Sequence, residues 1–215
     1  MVIGDVWEQD VLQTVCRAQI EDKASALWVA AEDGEIAGFV SAFVTVAGDG
    51  CRRWEVDLIA VRRTSQGRGL GTRLIRRICE AGHARAISLT RALIQAENGP
   101  SQRAFQNAGF TAVGRPGRLL LWPPGPRSDT HAYSGPVALL PVDTLTYRGL
   151  WLEGLTSVST EEQRRAVRAA RSIVSDENRT NAGAVIPVDE SHLLAPDLGN
   201  QAHVHGEYHW FVKRG

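Results

Sequence analysis

Apolar and polar residues alternate along the first half of the chain in patterns that predict both strands and helices. Two apolar runs, 27–31 and 36–40, flank Asp33-Gly34, a pair typical of a tight β-hairpin turn. The apolar run at 54–61 predicts another strand. A helix is predicted soon after it, because apolar residues recur at intervals of three and four, at Leu70, Leu74, Ile75, Ile78 and Cys79.

The remaining segments up to Trp122 continue this succession of strands and helices. We predict a short strand at 2–6, an amphipathic helix at 7–20, a strand buried on both faces at 86–94, a helix at 100–108 and a last hairpin formed by 111–113 and 119–122. This hairpin would turn at Arg115-Pro116-Gly117. The order of elements predicts an α+β fold, with helices flanking a mixed central sheet.

Proline and polar residues mark a boundary after Trp122. We expect a first domain at 1–122, a linker at 123–136 and a C-terminal α/β extension at 137–215. Ser159 and Glu162 form a capping box, which predicts that a helix begins there. Strands of the extension are predicted at 137–140, 145–152, 184–186 and 208–212. The sequence shows no clear internal repeat.

The composition limits the expected partners. Lysine and arginine together number 24, as do aspartate and glutamate, so the formal net charge is zero. A net charge of zero argues against a strongly electrostatic partner such as nucleic acid or an anionic membrane, although local charged patches stay open, and neither partner is expected. The hydrophobic fraction of 43% is sufficient for a folded core.

The cysteines and the apolar runs predict a location. The chain has three cysteines, Cys16, Cys51 and Cys79. An odd number without metal-site spacing is typical of reduced thiols in the cytoplasm. No apolar run approaches the roughly 18 residues of a membrane helix. The first residues do not resemble a secretory leader. We therefore expect a soluble cytoplasmic protein.

A glycine-rich loop precedes the helix that begins near Leu70. Gly67, Gly69 and Gly71 let the backbone approach a ligand closely, and the first N–H groups of a helix attract phosphate. The loop lacks the lysine of a nucleotide P-loop, and Thr72 stands where a dinucleotide fingerprint needs its third glycine. The loop therefore indicates a different phosphate-bearing ligand.

Two motifs in this region point to that ligand. Residues 66–71 fit the pattern Q-x-x-G-x-G. Farther along, the pattern N-x-x-[AS]-x-x-x-[YF]-x-x-x-G-F is matched by Asn98, Ser101, Phe105, Gly109 and Phe110. Together, over residues of about 1–122, the motifs resemble those of the GNAT acetyltransferase superfamily. The resemblance implies the GNAT acyl-CoA N-acyltransferase fold, followed here by the C-terminal extension.

The resemblance implies that three groups of residues bind the acyl-CoA. Backbone groups would position the acyl chain at Ile59, Ala60 and Val61. The loop would bind the pyrophosphate with Gln66, Gly67, Arg68, Gly69, Leu70, Gly71 and Thr72. The pantetheine arm would run beside Asn98, Ser101 and Phe105. The guanidinium of Arg68 would complement the phosphate charge, although a purely solvated side chain is as good an interpretation of this single residue.

The resemblance also implies an activity. The chain would be an acetyl-CoA-dependent N-acetyltransferase, with acetyl-CoA as cosubstrate and no metal. It would transfer the acetyl group directly to a primary amine of a small molecule or of a protein. The sequence does not specify which amine.

Two acidic residues share one face of the strand predicted at 54–61. Glu55 lies eleven residues before Gln66, where relatives in the superfamily carry a glutamate that deprotonates the amine. Glu55 is therefore the first candidate for the catalytic base, and Asp57 is the second. The competing interpretation is that one or both acids pair with nearby arginines.

Phe105 departs from the pattern of many relatives, which have tyrosine there to protonate the departing thiolate. Phenylalanine has no proton to give. A thiol with a pKa of about 8.5 can nevertheless leave without an acid. The departure keeps open an alternative function, a non-catalytic acyl-CoA-binding or assembly module with a degenerate GNAT site.

Histidines near the end of the chain raise the question of a metal. His203, His205 and His209 would lie on one face of a continuous strand together with Glu207. Neighbouring residues on one face of a strand rarely converge on one ion, and Gly206 interrupts the run. We expect no metal site and interpret the residues as a polar edge strand or as lining of the acceptor pocket.

The extension at 137–215 has a predicted structural role. GNAT relatives usually have two helices between their first and second strands, and the roughly twenty residues available here suffice for one helix. About eighty residues form only a marginal core alone. The extension is therefore expected to pack on the GNAT domain or at a dimer interface, where it would complete the acceptor site. The sequence does not decide whether the chain forms a homodimer.

Overall fold

A computed structural model of the protein describes residues 24–127, 133–144 and 147–215. The strand predicted at 2–6, the helix predicted at 7–20 and Cys16 lie outside these residues. The described chain forms two compact units. The first comprises the described residues up to Thr45 together with Arg52–Val113 and His209–Gly215, and the second comprises Val46–Cys51 and the described residues of Gly114–Tyr208.

The first unit contains a sheet and two helices. Its elements are β1 (Ser25–Glu32), β2 (Glu35–Val46), β3 (Arg52–Val61), α1 (Leu70–His83), β4 (Leu89–Gln95) and α2 (Gly99–Asn107). Strand β5 (Thr111–Trp122) begins in this unit and belongs to the second unit from Gly114 onward.

The second unit has the same mixture of elements. It contains β6 (Ala138–Asp143), β7 (Arg148–Glu153), α3 (Thr160–Asp176), β8 (Asn181–Pro187) and α4 (Pro196–Gln201). The last strand, β9 (His203–Arg214), begins here and belongs to the first unit from His209 onward.

Sheet pairing is both parallel and antiparallel, which confirms the predicted α+β class. In the first unit the strand order is β1-β2-β3-β4, with the end of β9 beside β4. In the second unit the order is β5-β8-β7-β6. Strands β1 and β2 are antiparallel, whereas β3 and β4 are parallel because α1 connects them. The predicted β1–β2 hairpin is confirmed, since Asp33 and Gly34 at its tip both have positive φ, at 54° and 82°.

The prediction of a hairpin around residues 115–117 is wrong. Residues 111–122 form the single strand β5, which pairs antiparallel with β8 from Gly117–Pro187 to Trp122–Ala182. The local sequence favours a turn at Pro116 and Gly117. Pairing with a strand distant in sequence overrides that preference.

The strand predicted at 86–94 begins later than expected. The chain after α1 first closes in a Schellman-type turn, in which the N–H of Ile87 donates to the carbonyl of Gly82 at 3.2 Å. Ala86 has the positive φ of 57° that this turn requires. Strand β4 therefore starts at Leu89, and its residues alternate between buried and half-buried instead of being buried on both faces.

Each unit has its own core. In the first unit, α1 buries Leu70, Leu74, Ile75 and Ile78 against strand residues such as Trp54 and Val56. The indole N–H of Trp54 donates to the carbonyl of Ile78 at 2.8 Å. The second core is formed by residues that include Trp122, Leu152, Leu155, Val167, Val174 and Ile186. The predicted helix start is confirmed, because Ser159 Oγ accepts the N–H of Glu162 at 3.3 Å. The Glu162 carboxylate, which would complete a capping box, instead accepts from Tyr133 and Arg165.

The order of elements is repeated in the chain. In the first unit β3 is followed by α1, β4, α2 and β5, and in the second unit β7 is followed by α3, β8, α4 and β9. The two strands that flank the longer helix pair in parallel in both units. The repetition concerns elements and not motifs, because the glycine-rich loop has no counterpart before α3, and this is why the sequence shows no repeat.

Candidate active site

Strands β3 and β4 are paired over only part of their length and separate beyond it. Their parallel pairing runs from Trp54–Thr90 to Val56–Ala92. Both continue as strands beyond these residues, β3 to Val61 and β4 to Gln95. The backbone of Ile59, Ala60 and Val61 therefore lies on the part of β3 past its pairing with β4. All three residues are half-buried.

The glycine-rich loop follows β3 through a single turn of 3-10 helix at Arg63–Ser65. Gly67 and Gly69 have left-handed backbones with φ of 77° and 74°, which an L side chain would strain. No atom of the described structure lies within 4 Å of where a Cβ of either residue would stand. Both glycines thus hold the backbone open toward solvent.

Side chains around the loop hold it in place. Gln66 Nε2 donates to the carbonyl of Val61 at 2.9 Å, and Ser65 Oγ donates to Glu32 at 2.7 Å. Thr72 Oγ1 donates to the carbonyl of Ala104 in α2 at 3.4 Å. Gln66 and Thr72, which the resemblance assigns to the ligand, therefore also shape the loop.

The N-terminus of α1 fits an anion. Gly69 precedes the helix and has no side chain to cap it, and the first turn contains no acidic residue. The N–H groups of Leu70, Gly71 and Thr72 have no acceptor within the helix itself, so a phosphate could accept from them. Arg68 is exposed beside them. The loop could thus hold the pyrophosphate of an acyl-CoA.

The second motif lies on helix α2. Asn98 caps the helix, because its Oδ1 accepts the N–H of Ser101 at 3.1 Å. The Phe105 ring is 2% exposed and packs edge-on against Phe110, with ring centroids 5.0 Å apart. The structure thus gives Asn98, Ser101 and Phe105 roles in the fold, and their contact with the pantetheine arm stays a prediction.

Glu55 lies within a buried polar cluster on β3. Arg91, directly opposite on β4, donates from Nη2 to Glu55 Oε1 at 2.7 Å and from Nε to both oxygens at 3.1 Å. Thr45 Oγ1 donates to the same carboxylate at 2.6 Å, and Arg53 Nε lies 3.5 Å from it. The pairing with arginine that the sequence offered as a competing interpretation is therefore present at Glu55.

Sequence reasoning missed Arg91 and Trp210. The Arg91 guanidinium lies 4.2 Å from the centroid of the Trp210 ring, a distance typical of a cation–π contact. Trp210 reaches this cluster because the end of β9 lies beside β4. No local signal could have identified the contact, since these two residues are far apart in the sequence. Asp57, the second candidate acid, lies two residues after Glu55 on β3 and is half-buried.

The histidine-rich segment forms the first part of β9. His203, His205 and Glu207 are exposed, and His205 Nδ1 lies 2.8 Å from the hydroxyl of Tyr208. Within the described ranges, no cluster of three or more histidine, cysteine or acidic side chains could hold a metal ion. Among the helices of residues 24–127, 133–144 and 147–215, none combines the length and apolar character that crossing a membrane requires.

The separated strands and the glycine-rich loop lie within a segment of the chain that matches a protein family. Residues 4–110 match the sequence profile described as the Acetyltransferase (GNAT) family. These residues belong to the GNAT family. The GNAT fold predicted from the two motifs is therefore confirmed, and the strands beyond the GNAT domain are additional to it. No curated protein sequence matches the chain.

Solved GNAT structures resemble the chain at low sequence identity. An acetyltransferase of the GNAT family from Streptococcus pneumoniae is 18% identical with a TM-score of 0.46, over 54% of this chain and 68% of that one. A ribosomal-protein-alanine N-acetyltransferase from Brucella melitensis is 18% identical with a TM-score of 0.46, over 53% and 69%. An aminoglycoside N-acetyltransferase in complex with CoA is 20% identical with a TM-score of 0.43, over 50% and 87%.

Proposed function

We propose that this protein is an N-acetyltransferase that moves the acetyl group of acetyl-CoA directly to a primary amine of a small molecule or of a protein. The observation that carries the proposal is the separation of β3 and β4 just before the glycine-rich loop. One extended ligand could place its pyrophosphate on the loop and its thioester between the strands. The family match at residues 4–110 supports the same reaction class.

The chain's own groups have distinct tasks in this proposal. The loop N–H groups from Gln66 to Thr72 bind the pyrophosphate, and Arg68 adds positive charge. The backbone of Ile59, Ala60 and Val61 orients the acyl chain. The first turn of α2, at Asn98 and Ser101, borders the pantetheine arm, while the buried Phe105 ring supports that helix from the core.

The chemical step needs a proton acceptor. Acetyl-CoA would supply a thioester whose C–S bond breaks as the amine nitrogen bonds to the acetyl carbon and the sulfur leaves as thiolate. A carboxylate of β3 takes the proton that the amine loses. Glu55 and Asp57 are the candidates. Because Arg91 and Thr45 already donate to Glu55, we assign Glu55 mainly to anchoring and Asp57, nearer the separated strands, to the proton.

Ligand binding tests the first part of the proposal. Acetyl-CoA at about 100 times its Kd should stabilise the protein by about 2.7 kcal/mol, which raises Tm. Gly69→Val should remove this shift, since the side chain would strain a positive φ and stand where the phosphate binds. Gly154→Val is the matched control, because Gly154 also has a positive φ, 88°, and open space around it. A full shift in folded Gly69→Val would show that the loop does not bind acetyl-CoA.

Turnover tests the second part. Asp57→Asn should lower turnover of an accepted amine by about a hundredfold at neutral pH. The loss should shrink at high pH, where the amine is already deprotonated. Glu55→Gln is measured in parallel, and Glu80→Gln serves as an exposed control on α1. A loss that is independent of pH in both β3 variants, with unchanged acetyl-CoA binding, would reject a general base on β3.

A second function, acyl-CoA binding without catalysis, is favoured by two observations. The Glu55 carboxylate is held by Arg91, Thr45 and Arg53. Phe105 offers no acidic proton. Thiol release from acetyl-CoA with a panel of amines separates the two functions. Tight binding with no release for any amine would select the binding module.

Several finer assignments are part of the same proposal. We propose a cytoplasmic location, since the described cysteines, Cys51 and Cys79, are thiols and not halves of a disulfide. The domain boundaries at 122 and 136, and the role of 137–215 beside the acceptor site or in a homodimer, stay predictions.

A further inference from the structure

We propose that the second unit contains a separate binding site for a phosphate group, in a cleft between α3 and α4. The cleft is lined by residues that include Gly125, Arg164, Arg168, Arg171, Asp197 and Gln201. This site is distinct from the glycine-rich loop, and it does not depend on the acetyltransferase proposal.

The three arginines occupy one face of α3. Positions 164, 168 and 171 are separated by four and three residues, which places them on adjacent turns along the same side of the helix. Guanidinium groups recognise phosphate through paired N–H donors. A row of three therefore offers donors along the length of the cleft.

Protein partners fix the two outer arginines. Arg164 pairs with Asp197, with Nη2 to Oδ1 at 2.8 Å and Nε to Oδ2 at 3.0 Å. Arg171 donates from Nε to the carbonyl of Pro123 at 2.9 Å and from Nη1 to Gln201 Oε1 at 3.0 Å. Their positions are thus set before a ligand binds, which reduces the entropy lost on binding.

Arg168 lies between them and is exposed. Among the residues that the structure describes, its side chain has no hydrogen bond or ion pair. The charged residues lining the cleft are three arginines and one aspartate, which leaves two positive charges uncompensated. A phosphate monoester carries about −1.5 to −2 at pH 7, so its charge matches this excess.

Gly125 also lines the cleft and lies directly against α3. Its N–H donates to the carbonyl of Arg171 at 3.0 Å, and a Cβ there would stand 3.0 Å from Arg171 Cβ. The absence of a side chain lets the backbone at Gly125 lie close to the helix beside the arginines.

The N-terminus of α3 does not provide this site. Ser159 already accepts the N–H of Glu162, and Glu161 and Glu162 lie in the first turn, where their charge would repel phosphate. In α1 the corresponding turn has neither an acid nor a cap. The two units therefore present positive charge in different places, at a helix N-terminus in the first and on the flank of a helix in the second.

Isothermal titration of the full chain with inorganic phosphate tests the site. The titration uses the Gly69→Val background, so that the glycine-rich loop does not contribute. Arg168→Ala should raise the Kd at least about tenfold, as expected for loss of a charge-assisted hydrogen bond. Arg165→Ala is the matched control, because Arg165 is on the same helix, exposed and paired with Glu162, and does not line the cleft. It should leave the Kd unchanged.

The source of the phosphate is distinguished by AMP and adenosine. Binding of AMP more tightly than phosphate, with no binding of adenosine, assigns the site to a nucleotide, and equal binding of AMP and phosphate assigns it to the phosphate group alone. No phosphate binding, or equal losses in Arg168→Ala and Arg165→Ala, would overturn the proposal. Arg168→Ala in an otherwise natural chain should keep the full Tm shift with acetyl-CoA, which separates this site from the proposed function.

Discussion

Helix α1 lies so close to Trp54 that residue 82 has no room for a side chain. A Cβ at Gly82 would stand 2.6 Å from Trp54 Cδ1. The indole cannot retreat easily, because it is fully buried and donates to Ile78. At Gly71, in the same helix, a Cβ would have only ordinary contacts at 3.8 Å and beyond.

The same substitution at the two glycines should therefore have opposite effects. Gly82→Ala should destabilise the protein by about 1–3 kcal/mol, since overpacking a buried contact outweighs better helix propensity. Gly71→Ala should stabilise it by up to about 1 kcal/mol, because alanine favours a helix and nothing obstructs it. Urea unfolding of both variants without ligand measures the difference. Stabilisation by Gly82→Ala would contradict the close packing on Trp54.

Cys79 differs from Cys51 in its surroundings. Burial raises the pKa of the Cys79 thiol from 9.0 to about 11, whereas Cys51 is exposed. The folded pKa exceeds the unfolded value, so the neutral thiol contributes stability below pH 9 that is lost as the pH rises toward 11.

Thiol labelling at pH 8 should reflect this difference. In a Cys16→Ser background, a maleimide should modify Cys51 rapidly and leave Cys79 largely unmodified, because only the thiolate reacts. Mass spectrometry of digested protein gives the two extents. Labelling in urea, where both thiols should react, is the control. Equal rates in the folded protein would contradict the burial of Cys79.

At the scale of elements, helices α2 and α3 can be compared, because each begins at a residue whose side chain caps it. Asn98 caps α2 and lies in the motif assigned to the pantetheine arm, whereas Ser159 caps α3 and has no assigned ligand. Each side chain accepts a backbone N–H of its helix. Variants of Asn98 and Ser159 can therefore separate a role of the cap residue in the fold from a role in ligand binding.

Asn98→Ala and Ser159→Ala should each cost about 1 kcal/mol of stability, since each leaves a helix end uncapped. If Asn98 also borders the ligand, only Asn98→Ala should weaken acetyl-CoA binding. Asn98→Asp keeps the acceptor and should restore stability. Calorimetric unfolding and titration with acetyl-CoA measure the two effects. Unchanged binding in Asn98→Ala would restrict Asn98 to capping.

At the scale of the whole molecule, the last residues of the chain complete the first unit. Phe211 is 1% exposed and packs with Phe105 in the core of that unit, with ring centroids 6.5 Å apart. Lys213 Nζ donates to the carbonyl of Ala108 at 2.9 Å. The first unit is therefore not continuous in sequence.

Truncation should reveal this dependence. Removal of 209–215 should abolish cooperative unfolding of the first unit or lower its Tm strongly, since loss of the Phe211 side chain alone costs about 3–5 kcal/mol. A chain ending at Trp122 should aggregate for the same reason. Removal of Arg214 and Gly215, both exposed, is the control and should have little effect. A stable 1–122 fragment that binds acetyl-CoA would contradict the prediction.

The sequence by itself determined the elements whose signals are local. The Asp33-Gly34 hairpin, the apolar face of α1, the glycine-rich loop and the Ser159 cap each depend on residues within a few positions of one another. Local backbone preferences and hydrophobic periodicity are sufficient to specify them. The two motifs were enough to identify the GNAT family.

Only the tertiary structure decided which distant segments meet. Strand β5 stays extended through Pro116 and Gly117 because it pairs with β8, and Trp210 reaches Arg91 because the end of β9 lies beside β4. The surroundings of Glu55 follow from the same pairings, which bring Thr45 and Arg91 to its carboxylate. Contacts between residues far apart in sequence have no local pattern, since they depend on the pairing and packing of whole elements.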